Sequence, residues 1–125
     1  MVESSKMVLA VLEDLFFNVK IADAAKRAGL DLTVVKTEEA ALAKLAERPL
    51  LVILDLNCAS VDPVKLASDI KATEFRDIPV IAYVSHVQTE LRQRAQAAGC
   101  DMVVARSAFS TGMSSILREY AGLPQ

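Results

Sequence analysis

Residues 50–56 read Leu-Leu-Val-Ile-Leu-Asp-Leu, and no other stretch limits the fold as strongly. Unbroken apolar side chains over this length suit a strand buried on both faces of a parallel sheet; a strand with one wet face would alternate. An unpaired carboxylate is costly to bury, so Asp55 belongs where the strand ends and the chain meets water or a cation. In open parallel α/β sheets, ligands bind at the carboxyl ends of the strands. Asp55 therefore marks the place to look for an acidic, active-site-like pocket.

The remaining chain supplies what such a strand needs around it. Met7 to Leu12 is a first apolar run, followed by a helix over about Leu15 to Ala28 in which Phe16, Val19, Ala22 and Lys26 recur at helical spacing and which Gly29 stops. Leu32 to Val35 is a second strand. Thr37 is an N-cap with Glu38 and Glu39 in the first turn, and its helix runs to about Glu47 before Pro49. The third strand is Leu50 to Leu54. Asp62-Pro63 opens the next helix, aspartate as cap and proline at the first helical position, with Val64, Leu66, Ala67 and Ile70 on its apolar side. Pro79 to Val84, a helix from about Val87 to Ala98 ended by Gly99, Asp101 to Ala105 and a helix over Phe109 to Tyr120 complete the series.

Strands alternating with helices give a parallel sheet, because each helix carries the chain back across it. The expected fold is α/β, an open doubly wound sheet of five parallel strands with helices on both faces; a closed barrel takes roughly eight such units. The 125 residues make one domain, residues 1–125 with a core of about 7–121, and no repeat or linker divides it. Hydrophobic content is 53% against 5% aromatic, which predicts a core of Ala, Val, Leu and Ile.

Charge and cysteine usage exclude several functions. The net charge is −2 and no basic block exceeds two residues, which gives a nucleic-acid surface no electrostatic support. Cys58 and Cys100 have no metal-ligand spacing and read as reduced thiols, Cys58 in an exposed loop and Cys100 in the core. Met1 to Lys6 is too short and polar for a signal peptide and no apolar run approaches a membrane span, so the expectation is a soluble, cytoplasmic protein.

The strand ends gather polar groups at one edge of the sheet: Glu13 and Asp14 after the first strand, Asp55 at the third, Ser85 and His86 after the fourth, Arg106 and Ser107 after the fifth. Three carboxylates converging there would hold a hard divalent cation such as Mg2+ through oxygen ligands. A carboxylate neutralised in this way can attack phosphorus and become an aspartyl phosphate. Arg106 would pair with the phosphoryl oxygens and Ser85 would donate a hydroxyl hydrogen bond to one of them. Each residue also has a structural reading. Asp14 precedes a helix and fits its N-cap, a role compatible with the first. Ser85 and Gln88 have capping-box spacing, which is favoured over phosphate contact. Asp62 is a helix cap, and His86, the lone histidine, has no partner with which to build catalysis. Arg106 faces the carboxylates as phosphate ligand or as a permanent counter-ion replacing the metal. Phe16-Phe17 reads as half core and half surface, an exposed Phe marking a docking patch.

At this point the chain resembles the receiver domain of bacterial two-component response regulators, the CheY-like, flavodoxin-like (βα)5 domains phosphorylated on an aspartate by a histidine kinase. The resemblance spans Met7 to about Tyr120 and is carried by Leu51-Val52-Ile53-Leu54-Asp55-Leu56-Asn57 with Asp62, by Ile78-Pro79-Val80-Ile81 and by Ala97-Ala98-Gly99-Cys100-Asp101. It implies Asp55 as phospho-acceptor, Glu13 and Asp14 as the acidic pair holding magnesium, and Asn57 lending its backbone carbonyl to the metal. The departures are equally specific. The usual hydroxyl residue at the end of the fourth strand falls on Val84, with Ser85 one residue late. The lysine ending the fifth strand is replaced by Arg106, a longer planar fork, and the proline after it by Ser107. The aromatic switch position falls on Val103, the acidic pair reads Glu-Asp, and Pro63 stands where glycine is frequent. Such losses describe a divergent receiver or pseudo-receiver.

The expected function is a stand-alone signalling module that works by protein–protein contact and is not an enzyme. The resemblance implies a histidine kinase or phosphotransfer protein and a downstream target as partners, and a contact or homodimer face on the fourth helix, fifth strand and fifth helix. Glu90, Arg92, Gln93, Arg94 and Gln96 make that helix polar. Either Asp55 is phosphorylated with Mg2+ bound, or the domain docks independently of phosphorylation. A small flavodoxin-like enzyme or nucleotide-binding domain is the other class, and it lacks a phosphate cradle: Gly29, Gly99, Gly112 and Gly122 form no Gly-rich loop after a strand.

Overall fold

A computed structural model describes residues 6–85 and 88–123. Five strands, β1 (Met7–Val11), β2 (Asp31–Val35), β3 (Leu51–Asp55), β4 (Val80–Val84) and β5 (Met102–Ala105), alternate with α1 (Leu15–Arg27), α2 (Glu38–Lys44), α3 (Pro63–Lys71), α4 (Thr89–Ala97) and α5 (Arg106–Tyr120). A short 3-10 turn, Leu45–Glu47, extends α2. All pairings are parallel and the strand order is β2-β1-β3-β4-β5. The winding reverses between β1 and β3, the crevice where such sheets take ligands. Among the described residues no helix is long and apolar enough to cross a membrane.

The apolar run behaves as its composition demands. Leu51, Val52, Ile53 and Leu54 are fully buried, alternating between two cores. Val52 and Leu54 pack with α2, α3 and α4 residues such as Ala41, Leu66, Ile70 and Ala95. Leu51 and Ile53 pack with Phe17, Ile21, Phe109, Met113 and Leu117 of α1 and α5. Side chains alternate along a strand, so Asp55 points to the α1/α5 side.

Local signals set the helix starts. Asp14 Oδ1 accepts from the Phe17 amide at 3.1 Å, Thr37 Oγ1 from Ala40 at 3.1 Å and Asp62 Oδ1 from Lys65 at 3.2 Å. Each satisfies one orphan donor of a first turn. Gly99 ends α4 with φ +107, a conformation only glycine takes without strain, and a Cβ there would lie 2.8 Å from Lys71 Cγ. Lys71 Nζ in turn ties α3 to the start of β5 through Asp101, at 2.9 Å.

Four sequence readings are corrected. On α1 the solvent-facing stripe is the one that recurs at Phe16, Val19, Ala22 and Lys26, whereas Phe17, Ile21, Ala24 and Ala25 enter the core. Both stripes have helical spacing, so period alone does not choose between them; packing against Tyr83 and Phe109 does. Helix α5 begins at Arg106 and not at Phe109, because Arg106, Ser107 and Ala108 contain no breaker and Ala105 is already extended at ψ 147. Cys58, expected in an exposed loop, is 5% exposed because the loop folds back under Glu13. Ser85 does not cap α4, whose N-cap is Gln88. His86, and Val87 as the expected start of α4, lie outside the described residues.

The face assignment of α1 is testable by urea unfolding. Phe17→Ala is expected to cost about 3–5 kcal/mol, the usual range for a buried Phe. Phe16→Ala, one residue away, is expected to stay within about 0.5 kcal/mol of the parent.

Candidate functional site

The loops at the carboxyl edge bring Asp14, Asp55, Tyr83, Ser85 and Arg106 to one end of the α1/α5 side. Asp55 is the last residue of β3 and, at 7% exposure, the one charged side chain buried among the described residues. Its Oδ1 accepts from the Asn57 amide at 2.8 Å, an Asx turn that aims the carboxylate and reverses the chain. Tyr83 sits directly across the ladder on β4. Its ring packs on Phe17 (centroids 4.8 Å apart) and stacks on Phe109 (5.2 Å), while Phe17 and Phe109 lie 6.0 Å apart. Three of the chain's few aromatic residues thus floor the pocket. The Tyr83 hydroxyl is buried and meets no acceptor in hydrogen-bond geometry.

Arg106, first residue of α5, crosses the pocket mouth. Its Nη2 lies 2.5 Å from Asp14 Oδ2, and its guanidinium carbon stands 4.3 Å from the Phe17 ring centroid. The planar fork therefore satisfies a carboxylate with one edge and an aromatic face with its plane, which an ammonium cannot do. Asp14 serves two masters, capping α1 with one oxygen and holding Arg106 with the other.

Glu13 diverges from its neighbour. Its Oε1 accepts from the Ser60 amide at 3.0 Å and from Cys58 Sγ at 3.7 Å, which fastens the β3–α3 loop. Among the described residues no three Asp, Glu, Cys or His side chains come together as a metal-ligand group. Magnesium needs several free oxygens turned to one point. Here both Asp14 oxygens and Asp55 Oδ1 meet N–H donors and Glu13 Oε1 is held by Ser60 and Cys58, so this arrangement does not turn a full set of free oxygens to one point.

Asn57 contributes more than a backbone carbonyl. Its Oδ1 accepts from the Ser85 amide at 3.1 Å and the Ser85 hydroxyl at 3.3 Å, and its Nδ2 donates to Gln88 Oε1 at 2.5 Å. The Ser85 hydroxyl is thus committed to Asn57. Val84 is buried, Val103 supplies no ring, Ser107 is exposed in the first turn of α5, and Asp62 caps α3. Sequence reasoning missed Tyr83, Phe17 and the Asn57 side chain; their partners come from distant segments and no local spacing announces them.

Electrostatics follow this geometry. Burial pushes the Asp55 carboxyl above its ordinary 3.8, aided by the nearby Asp14 charge and opposed by the Asn57 amide and Arg106. Burial also pushes Asp14 up, but the Phe17 amide and Arg106 outweigh it and hold Asp14 below 3.8. Burial pushes the Tyr83 phenol up, with the Asp55 charge adding to it. A raised folded-state value means that ionised Asp55 costs stability at neutral pH, a cost relieved as pH falls through that value. Asp55→Asn keeps the acceptor for Asn57 and removes the charge. It is expected to melt higher than the parent at pH 7, with the gap closing as the medium is acidified, as read by thermal unfolding against pH.

No protein-family model and no curated protein matches this sequence. Solved structures do. The phosphorylated cyanobacterial phytochrome response regulator RcpA superposes with a TM-score of 0.77 at 19% identity, over 93% of this chain and 91% of that one. The chemotaxis response regulator CheY4 of Vibrio cholerae gives 0.78 at 17% identity, over 94% and 99%. The Mn(2+)-bound form of response regulator Rcp1 gives 0.74 at 18% identity, over 95% and 99%. This chain has the five-stranded, doubly wound fold of the response-regulator receiver domains.

Proposed function

We propose that this protein is a receiver-type signalling module that works by protein–protein contact, and that Arg106 is the resident cation of its acidic pocket. The observation that carries the reading is the placement of the Arg106 guanidinium on Asp14 and over Phe17, where it neutralises Asp14 and offsets part of the Asp55 charge without any ion from solution. A side-chain cation held by stacking and an ion pair does not leave when metal is scarce, so the pocket's charge balance is independent of divalent cations. The module keeps Asp55 at the functional edge of the sheet and offers partners the surface of α4, β5 and α5, the face on which a downstream target or a second copy would dock. No Gly-rich loop follows a strand, which leaves the nucleotide-binding alternative without a phosphate cradle.

A second reading keeps Asp55 as a phospho-acceptor for a histidine kinase or phosphotransfer protein. It is supported by the position of Asp55 at the end of β3, with Ser85 and Arg106 at the same edge. The carboxylate oxygen would attack phosphorus, and the donor's histidine nitrogen would leave. Glu13, Asp14 and the Asn57 carbonyl would hold Mg2+ only after Arg106 moved off Asp14.

The readings separate in an amide NMR titration with magnesium, then with beryllofluoride. Wild type is expected to stay silent at millimolar magnesium. Arg106→Lys, whose point charge cannot both pair and stack, is expected to gain magnesium-dependent shifts around Asp14 and Asp55. Wild-type shifts centred on those residues and absent in Asp55→Asn would falsify the resident-cation reading in favour of the phospho-acceptor.

A further inference from the structure

Helix α4 is held lightly by the core. Ala95 is the one fully buried residue of its nine, Leu91 is half-buried, and the others face solvent. Its first turn also lacks what fastens α1, α2 and α3. Gln88 stands at the N-cap, and its side chain accepts from no amide of the helix. An uncapped first turn over so little buried surface frays unless something outside the helix fixes it.

That outside support is the side chain of Asn57, on the neighbouring β3–α3 loop. Its Nδ2 donates to Gln88 Oε1 at 2.5 Å, and its Oδ1 accepts from the Ser85 amide and hydroxyl at 3.1 and 3.3 Å. One carboxamide thus holds Ser85, where β4 ends, and Gln88, where α4 begins. Gln88 passes the hold into the helix, because its carbonyl accepts the first helical bond, from the Arg92 amide at 3.1 Å. The ends of β3 and β4 are already locked together by the Leu56 amide on the Tyr83 carbonyl at 3.0 Å, so the side-chain bridge is the part free to change.

The backbone of Asn57 rests on Asp55. Its amide donates to Asp55 Oδ1 at 2.8 Å, the Asx turn that sets the direction in which the Asn57 side chain leaves the loop. A hydrogen bond to an ionised acceptor is about twice as strong as one between neutral groups, so the charge on this carboxylate decides how firmly the turn is held. Val84 and Val103 carry neither hydroxyl nor ring, and their side chains cannot relay a change at Asp55 by hydrogen bonding.

We infer that Asn57 is a positioning residue whose side-chain amide seats the start of α4 and makes that seating depend on the charge of Asp55. An event that neutralises the carboxylate or takes up Oδ1 loosens the turn, and the bridge to Ser85 and Gln88 loosens with it. The first turn of α4 then opens more often. This rests on the reading of the protein as an interaction module and adds what regulates the α4 edge of its docking surface.

Amide hydrogen exchange followed by NMR on the full chain tests this, with the β1 amides as internal reference for global opening. Two amides report the two arms of the bridge: Ser85, bonded to Asn57, and Arg92, bonded to Gln88. Asn57→Ala, at an exposed position, is expected to speed exchange of both at least roughly tenfold. Gln88→Ala is expected to speed Arg92 and leave Ser85 within about twofold. Asp55→Asn, which keeps the acceptor and removes the charge, is expected to speed both roughly threefold in the parent. It is expected to add nothing at either amide in the Asn57→Ala background, and nothing at Arg92 in Gln88→Ala. That non-additivity separates coupling from a merely structural bridge. Unchanged exchange at Ser85 and Arg92 in Asp55→Asn, or effects of Asp55→Asn that multiply with those of both Ala variants, overturns the proposal. Unchanged exchange in Asn57→Ala overturns it too, since α4 is then seated without the bridge. No partner enters these measurements, so the coupling can fail while the interaction-module reading stands, and the reverse.

Discussion

Everything at the functional edge depends on β3 being buried on both faces. A strand with apolar side chains in two directions cannot be an edge strand or face water, so it becomes the middle of the sheet and collects a helical layer on each side. That placement also decides where Asp55 goes. The carboxylate is one residue beyond the last fully buried position, close enough to the core to be desolvated and far enough along to reach the loops. Burial of the run is met in full and hydration of the charge only in part, which is why the Asp55 carboxyl lies above its ordinary value.

The charge there is balanced by a chain of contacts that reaches into the core. Arg106 holds Asp14 and rests on Phe17; Phe17 packs on Tyr83; Tyr83 stacks on Phe109 of α5. The cation is therefore positioned by the same aromatic residues that fasten α1 and α5 to the sheet. An exposed ion pair alone contributes little, typically under about 1 kcal/mol. With a stacking face beneath it the guanidinium has one favoured location at the pocket mouth. Glu13 takes a structural task in the same rearrangement, tying down the loop that buries Cys58.

Much of the architecture was legible because its causes are local. Asp14, Thr37 and Asp62 are short polar side chains directly before helical stretches, and each caps a helix, Asp62 with Pro63 behind it. The resemblance to receiver domains on Leu51 to Asn57 and Pro79 to Ile81 pointed to the same fold that the solved structures share. The pocket was legible only in its cast. Spacing put Asp14, Asp55, Ser85 and Arg106 at one edge, but it did not distribute them: Ser85 joins Asn57 instead of capping α4, and Glu13 turns to Ser60 instead of Asp55. The expectation of an aliphatic core was right for the face of β3 that carries Val52 and Leu54 and missed the aromatic trio on the other, because Phe17, Tyr83 and Phe109 come from three separate segments.

The amino-acid sequence by itself determined the alternation of strands and helices, the central strand, the capped helix starts and the strand terminus that carries Asp55, since each follows from hydrophobic period or from a residue's own backbone preference. The tertiary structure alone decided which stripe of α1 is core and which is an exposed apolar patch, and which carboxylate Arg106 engages. Phe16 and Phe17 are equivalent to helical periodicity, and Asp14 and Glu13 are equivalent to charge counting. Only the packing of α1 and α5 onto β4 breaks those ties, because it admits one ring beside Tyr83 and leaves one carboxylate within reach of the guanidinium.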